Sequence, residues 1–116
     1  MVQVGEAIAA CDVDDGACRC VASGLMELLG RKYVMDIVCV VAAHDGVRFG
    51  ELEAHVPAAS TSTLSARLDD LVEADILSRE QYDEIPPRVE YAFTDDGAEL
   101  ADRFRPVAEW ILERET

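Results

Sequence analysis

The four cysteines and two histidines of this 116-residue chain could act as metal ligands or nucleophiles; they are Cys11, Cys18, Cys20, Cys39, His44 and His55. A cysteine does so as its thiolate, and a neutral histidine binds the same metals through a ring nitrogen. The spacing Cys11-x6-Cys18-x-Cys20 is irregular and lacks the paired cysteines typical of structural zinc sites. A site completed by one of the histidines therefore stays an alternative, and we predict no metal and no cofactor.

The sequence does not show the pattern of an enzyme active site. It has no nucleophile with a neighbouring base, no glycine-rich phosphate-binding loop and no carboxylate pair in a definable cleft. We therefore predict no catalytic residues and a protein that is not an enzyme. Cys39 falls in an apolar segment and is expected to be buried, whereas His44 and His55 are expected at helix ends or on the surface.

The charge of the chain is strongly negative, with 24 acidic residues against 10 basic ones and a net charge of −14. The excess is spread along the sequence: residues 1–46 hold seven acids against three bases, residues 47–94 ten against four, and residues 95–116 seven against three. Self-repulsion of this kind destabilises a compact protein at ordinary ionic strength and is largely screened in molar salt. The composition therefore favours a halophilic, archaeal source over an acidic mesophile protein, and the charge alone does not favour binding to DNA.

Length and hydropathy indicate one globular domain, because half of the residues are hydrophobic and the chain has the size of a single core. No apolar run approaches the ~18 residues that span a bilayer, and the first six residues lack the basic region of a signal peptide. We expect a cytoplasmic protein without membrane association. Residues 1–19 are predicted to be an N-terminal extension and residues 20–113 the domain.

Apolar residues at helical spacing recur along the first two thirds of the chain. Positions i, i+4, i+7 and i+8 predict helices over residues 21–29 and 60–74. Residues 33–43 are almost wholly apolar; their β-branched content suits a strand, but their length favours a helix buried on most sides. Residues 48–56 predict a short amphipathic helix that Pro57 ends. Because a three- or four-residue turn separates it from the next helix, the pair is typical of a helix-turn-helix.

The pattern changes after Asp75 to the two-residue period of β-strands. Residues 76–82 and 89–94 predict two strands joined by a proline-containing loop, and Thr94 caps a last helix that extends to residue 113. This order of elements predicts an α+β, mostly helical winged helix-turn-helix with a two-stranded hairpin wing. The first and last helices hold more apolar residues than a small core needs, so we predict that they form a dimer interface.

Short segments that recur together in one family lie in order along the chain: Gly30-Arg31-Lys32-Tyr33, Arg48-Phe49-Gly50-Glu51-Leu52, Leu64-Ser65-Ala66-Arg67-Leu68, Leu77-Ser78-Arg79, Pro86-Pro87-Arg88-Val89-Glu90-Tyr91 and Thr94 with Gly97. In this order and spacing they resemble the HxlR family of winged-helix transcriptional regulators. The resemblance runs from Cys20 to Trp110, about four-fifths of the chain. The sequence departs from the family at Thr61 and Ser62, where Pro and Lys are common, and at Asp75, where Gly is usual. An aspartate can still adopt the left-handed conformation there, at some cost.

The resemblance implies a sequence-specific transcriptional regulator that binds a palindromic operator in double-stranded DNA as a homodimer. The helix over residues 60–74 would enter the major groove, and the hairpin would lie over the adjacent minor groove or the backbone. The DNA-binding residues predicted on this basis are Thr61, Ser62, Thr63, Ser65, Arg67, Arg79 and Arg88. Arg67 has an equal alternative, an ion pair with a nearby acid that holds the helix in place.

Cys20 is a further functional residue implied by the resemblance, because several members of the family sense oxidants or electrophiles through a cysteine at this position. A thiol at the N-terminal edge of a helix, next to Arg19, is expected to favour its thiolate form. The alternative is a small half-buried residue without a redox role. For the whole protein the alternative is a winged helix that has lost DNA binding and acts through protein–protein interaction, which the acidity of residues 47–94 favours.

Overall fold

The computed structural model describes residues 13–14, 17–18 and 24–115 of the chain. The chain forms two compact units, residues 1–31 and residues 32–116. The predicted domain boundary after residue 19 falls outside the described residues and stays a prediction. Within the described part, no helix combines the length and the apolar character that crossing a bilayer requires.

The described residues of the first unit form a two-stranded antiparallel ribbon and one short helix. The ribbon pairs β1 (Val13–Asp14) with β2 (Ala17–Cys18), and the helix α1 is Gly24–Leu29. Helix α1 lies in the segment 21–29 that the leucine spacing predicts, and Gly30 ends it by donating its N–H to the Met26 carbonyl oxygen at 3.1 Å.

Helix α2 (Val34–Ala43) is the central helix of the second unit, so the apolar segment is a helix and not a strand. It packs against the three helices that follow it and against the last strand. Only one of its faces is buried, by Val34, Ile37, Val38 and Val41. The expectation that this helix is buried on most sides is therefore wrong, since Asp36 and Cys39 on its other face are exposed.

The helix-turn-helix consists of α3 (Phe49–His55) and α4 (Thr61–Glu73), as the sequence predicts. The connecting turn is held by a hydrogen bond from the Ala59 N–H to the Val56 carbonyl oxygen at 3.2 Å. Helix α4 begins with the predicted cap, since the Thr63 N–H donates to the Ser60 hydroxyl oxygen at 3.1 Å. Tyr33 joins this turn to the start of α2, because its hydroxyl donates to the Ala58 carbonyl oxygen at 3.1 Å.

Asp75 ends α4 in the left-handed conformation that the sequence allows, with φ of 63°. The Asp75 N–H donates to the Val72 carbonyl oxygen and the Ile76 N–H to the Leu71 carbonyl oxygen, both at 3.0 Å. This pair of hydrogen bonds is the Schellman motif, which usually has glycine at the left-handed position. It turns the chain directly from α4 into the hairpin.

The sheet has three antiparallel strands in the order β3 (Val47–Arg48), β5 (Arg88–Phe93) and β4 (Leu77–Tyr82). The hairpin of β4 and β5 is the predicted two-stranded wing, and its loop contains a cis peptide bond between Ile85 and Pro86. Strand β3 is an addition to the prediction. It pairs Val47 with Tyr91, and both side chains are buried.

Helix α5 (Asp95–Glu115) packs against α2 and β5. Its cap is Thr94, as predicted, because the Gly97 N–H donates to the Thr94 hydroxyl oxygen at 3.0 Å. The helix continues through Pro106 without a break. With these elements the α+β winged-helix fold expected from the sequence is confirmed.

Candidate nucleic-acid interface

Helix α4 has one fully buried face and one polar exposed face. Leu64, Leu68 and Leu71 have no exposed surface, because the stripe they form packs into the core. On the opposite side Thr61, Ser62 and Ser65 are exposed, and Thr63 is half-buried. Short hydroxyl side chains of this kind hydrogen-bond to base edges and phosphates while allowing the helix to approach closely.

Thr61 already has a partner within the helix-turn-helix. Its hydroxyl donates to a carboxylate oxygen of Glu53 on α3 at 3.0 Å. The Ser60 hydroxyl donates to the Thr63 hydroxyl oxygen at 2.9 Å, so the first turn of α4 is ordered by side chains of its own. Ser62 and Ser65 are the exposed hydroxyls of this helix for which no such contact is present among the described residues.

Arg67, the cation of α4, pairs with Asp70 one turn later along the same helix. Their atoms Nη1 and Oδ2 are 3.0 Å apart, and about a quarter of each side chain is exposed. The Nε atom of Arg67 is buried without a hydrogen-bond partner among the described residues. The structure thus contains the ion pair that the sequence allowed as an alternative, and a DNA contact of Arg67 stays a prediction that requires this pair to open.

Arg88, at the base of the wing, lies between two carboxylates and an aromatic ring. It pairs with Glu84 at 3.0 Å and with Glu90 at 3.2 Å. The guanidinium carbon lies 4.2 Å from the centre of the Tyr82 ring, in cation–π geometry. Glu80 accepts a hydrogen bond from the Tyr82 hydroxyl at 2.9 Å. This bond, with the negative charge of Glu80, raises the pKa of Tyr82 above its ordinary value.

Arg79, by contrast, is exposed and pairs with no carboxylate of the described residues. It lies on β4, opposite Tyr91 of β5. Because α4 packs against β4, the predicted site residues fall on three neighbouring elements, α4, β4 and β5. Sequence reasoning did not assign Arg48 to the site, although this residue ends β3 next to β5. Arg48 begins one of the segments that carry the family resemblance, but the apolar–polar alternation Val47–Arg48 is too short to indicate the strand that places it there.

The cysteine and histidine predictions have mixed outcomes. Cys39 is exposed, so the expectation that it is buried is wrong. Partial burial of the thiol, together with the negative charge of Asp36, raises the pKa of Cys39 and makes its thiolate scarcer. Cys11 and Cys20 lie outside the described residues, and Cys18 is described only as part of β2.

The two histidines face each other at the ends of α2 and α3. The ring centres of His44 and His55 are 5.3 Å apart, and the His44 Nδ1 atom lies 2.8 Å from the Val40 carbonyl oxygen. His55 is exposed and His44 is half-buried. Within the part of the chain that the structure describes, no group of three or more potential ligands is arranged to hold a metal ion.

Known proteins are similar to this chain over most of its length. The model of the HxlR-like helix-turn-helix family matches residues 28–115. An HTH-type transcriptional regulator of Halalkalibacterium halodurans is 32% identical over 85 residues, which cover 73% of this chain and 75% of that protein. The matched proteins are transcriptional regulators rather than enzymes, in agreement with the prediction from the sequence.

Solved structures share the fold. A possible HxlR family transcriptional factor from Thermoplasma volcanium is 25% identical with a TM-score of 0.72 and covers 85% of this chain and 88% of its own. The reduced form of the regulator YodB from B. subtilis is 29% identical with a TM-score of 0.66, covering 74% and 83%. The redox regulator HypR in its reduced form is 25% identical with a TM-score of 0.72, covering 78% and 89%. The chain therefore belongs to the HxlR-like helix-turn-helix family of transcriptional regulators.

Proposed function

We propose that this regulator binds a palindromic operator in double-stranded DNA as a homodimer, with α4 of each protomer in the major groove and each wing over the neighbouring backbone. One observation carries the proposal. Helix α4 buries Leu64, Leu68 and Leu71 completely and leaves Ser62 and Ser65 exposed on its other side. A helix whose leucine face is anchored and whose polar face is free is suited to enter a groove.

A dimer is supported by the apolar surface of α5. Val107, Trp110, Ile111 and Leu112 are all exposed, and Leu112 is 63% accessible. Leu25 and Met26 of α1 are exposed as well. The apolar side chains clustered on α5 mark a surface that associates with another protein. A second copy of the chain is the occupant that a palindromic operator requires, because operator symmetry mirrors protein symmetry.

The negative charge of the chain sets the conditions for binding. DNA affinity normally depends on neutralising phosphates with Lys and Arg. In residues 47–94 the ten acids outnumber the four arginines, and Arg67 and Arg88 are already paired with carboxylates. Molar salt screens the repulsion between the acids and the phosphates. We therefore expect contacts to base edges to supply most of the specific affinity.

The test is fluorescence anisotropy with a duplex from the protein's own promoter, at ~0.2 M and ~2 M KCl, beside a scrambled duplex. Binding of the promoter duplex in at least one condition is the expected result. Ser65→Ala should weaken promoter binding about threefold and leave scrambled-duplex binding unchanged, as expected for a base contact near the lower end of its usual energy. Ser78→Ala on β4 is the control. Absence of binding to either duplex at both salt concentrations overturns the proposal.

Redox control through Cys20 is a second part of the proposal. It is supported by the similarity to HypR, named as a redox regulator, and to YodB, solved in reduced and diamide-treated forms. Diamide takes two electrons and two protons from a pair of thiols, which join in a disulfide. We expect diamide to change DNA affinity in the wild type and in Cys39→Ser, but not in Cys20→Ser. Thiol-trapping mass spectrometry measures the modified cysteines, and an unaltered response of Cys20→Ser contradicts the sensor role.

A role through protein partners alone is the competing function, and the acidity of residues 47–94 favours it. Light scattering combined with the DNA titration separates the two. A stable dimer that binds no duplex at either salt concentration supports the competing function, whereas a dimer that binds the promoter duplex supports the proposal.

A further inference from the structure

Arg48 occupies a distinctive position at the junction of the helix-turn-helix and the wing. It is the last residue of β3 and the cap of α3, and its partner across the sheet is Glu90 of β5. Its backbone N–H donates to the Glu51 carboxylate at 3.0 Å. This bond holds the start of α3 and fixes the backbone of Arg48. The residue is exposed to solvent.

The guanidinium of Arg48 is not neutralised by any carboxylate of the described residues. Its cross-strand neighbour Glu90 pairs instead with Arg88 at 3.2 Å. Other arginines differ in this respect, since Arg67 pairs with Asp70 and Arg103 pairs with Glu99. Among the described residues of this acidic chain, Arg48 is therefore one of the few sites where positive charge is available to a ligand.

A cavity of about 360 Å³ lies between the start of α3 and the wing. Arg48 and Phe49 line it from one side, and Glu84, Pro86, Pro87, Arg88 and Val89 line it from the other. Its charged lining consists of two arginines and one glutamate. Arg88 pairs with Glu84 and Glu90, so Arg48 supplies the positive charge of the lining that no carboxylate of the described residues neutralises. We call it the Arg48–Arg88 cavity.

We propose that the Arg48–Arg88 cavity binds a phosphate group of the DNA backbone, with Arg48 as the main hydrogen-bond donor. A guanidinium matches the geometry of a phosphate and forms two parallel hydrogen bonds with it. The first helix of a helix-turn-helix crosses the DNA backbone, and here that helix begins at the cavity. Arg88 would exchange its contact with Glu84 for the same phosphate. This inference rests on the proposed function, since it requires a duplex at α4.

The test compares Arg48→Ala with Arg103→Ala, which removes the same charge from an exposed position on α5. We expect Arg48→Ala to weaken binding about tenfold for promoter and scrambled duplexes alike, because a phosphate contact carries no sequence information. The slope of log affinity against log salt should become shallower by about 0.9 for each phosphate that is no longer neutralised. Arg48→Lys keeps the charge but not the paired geometry, so it should keep the slope and bind with intermediate affinity.

The outcomes separate this inference from the proposed function. If the wild type binds duplex DNA and Arg48→Ala matches Arg103→Ala in affinity and slope, the phosphate site is overturned and the function stands. If the wild type binds no duplex, both are overturned. Should Arg48→Ala fail to fold by circular dichroism, the affinity of Arg48→Lys decides instead. An affinity equal to that of the wild type then overturns the phosphate site, whereas an intermediate affinity supports it.

Inorganic phosphate presents the same oxygen atoms to an arginine as a DNA phosphate does, so a separate experiment must distinguish the two ligands. Inorganic phosphate is titrated at constant ionic strength into the wild type and Arg48→Ala, and melting temperature is measured. A phosphate-dependent rise in the wild type alone, combined with unchanged DNA affinity in Arg48→Ala, identifies a small-anion site and overturns the DNA assignment. A decrease of DNA affinity in Arg48→Ala supports the assignment, whether or not free phosphate also binds.

Discussion

Gly97 lies so close to Ile76 that a β-carbon on the glycine would overlap the Ile76 carbonyl oxygen. The Phe93 ring would also lie 2.9 Å from that β-carbon. Gly97 thus allows the first turn of α5 to rest on the segment that joins α4 to the wing. The Thr94 hydroxyl, 2.6 Å from the Asp75 carbonyl oxygen, holds the same junction from the other side.

Gly97→Ala should lower the free energy of unfolding by about 2 kcal/mol, because the overlap is with backbone that cannot rotate away. Gly50→Ala is the matched control, since a β-carbon there meets no atom within 4 Å. It should raise stability by about 0.5 kcal/mol through helix propensity. Urea unfolding followed by circular dichroism measures both, and equal effects of the two substitutions would contradict the close contact at Gly97.

Asp75→Gly should stabilise the protein by about 1 kcal/mol, because glycine adopts a positive φ without the steric cost that a β-carbon imposes. The measurement is the same urea unfolding. Asp75→Asn removes the same charge and keeps a side chain, so it isolates the backbone effect. A gain from Asn as large as that from Gly would assign the effect to charge instead of conformation.

Asp70→Asn should strengthen DNA binding about threefold more than Asp69→Asn does. This factor corresponds to the modest energy of a partly exposed ion pair. Both substitutions remove one negative charge from α4, but only Asp70 pairs with Arg67. Releasing Arg67 makes its guanidinium available to the duplex. Anisotropy titrations at one salt concentration compare the two, and equal affinities would show that Arg67 does not contact DNA.

Salt should stabilise this protein, with the melting temperature rising by about 5 °C or more between ~0.2 M and ~2 M KCl. Part of the repulsion is local, because Glu80 and Glu90 are opposite each other in the β4–β5 register, and like charges in that arrangement are destabilising. Glu80→Gln should therefore reduce the salt dependence more than Glu109→Gln on α5. A melting temperature that is independent of KCl would contradict the halophilic interpretation.

Much of the fold follows from local features of the sequence. The leucine spacing of α4 predicts its buried face, because apolar side chains at helical spacing form one stripe, and this stripe is the face that is buried. Ser60 and Thr94 act as caps by accepting hydrogen bonds from residues three positions later, so their roles are readable from the chain itself. The same holds for Asp75, whose short side chain tolerates a left-handed backbone.

The sequence did not predict features that depend on residues distant along the chain. Strand β3 is two residues long and exists because β5 pairs with it. The pairing of Arg88 with Glu90 and its stacking on Tyr82 need the register of the hairpin. Cys39 lies in an apolar segment of the sequence but is exposed, because only one face of α2 packs against the other helices and β5.

The sequence alone determined the order of the elements and their caps, because periodicity and capping are local properties. The resemblance to the family came from short segments that lie in order along the chain. Only the tertiary structure decided which charges are available. Arg67 and Arg88 are neutralised by carboxylates, while Arg48 pairs with none among the described residues; its cross-strand neighbour Glu90 pairs with Arg88. Ion pairing at these positions depends on distances of a few ångströms between side chains, and those distances exist only after the helices and strands have packed together.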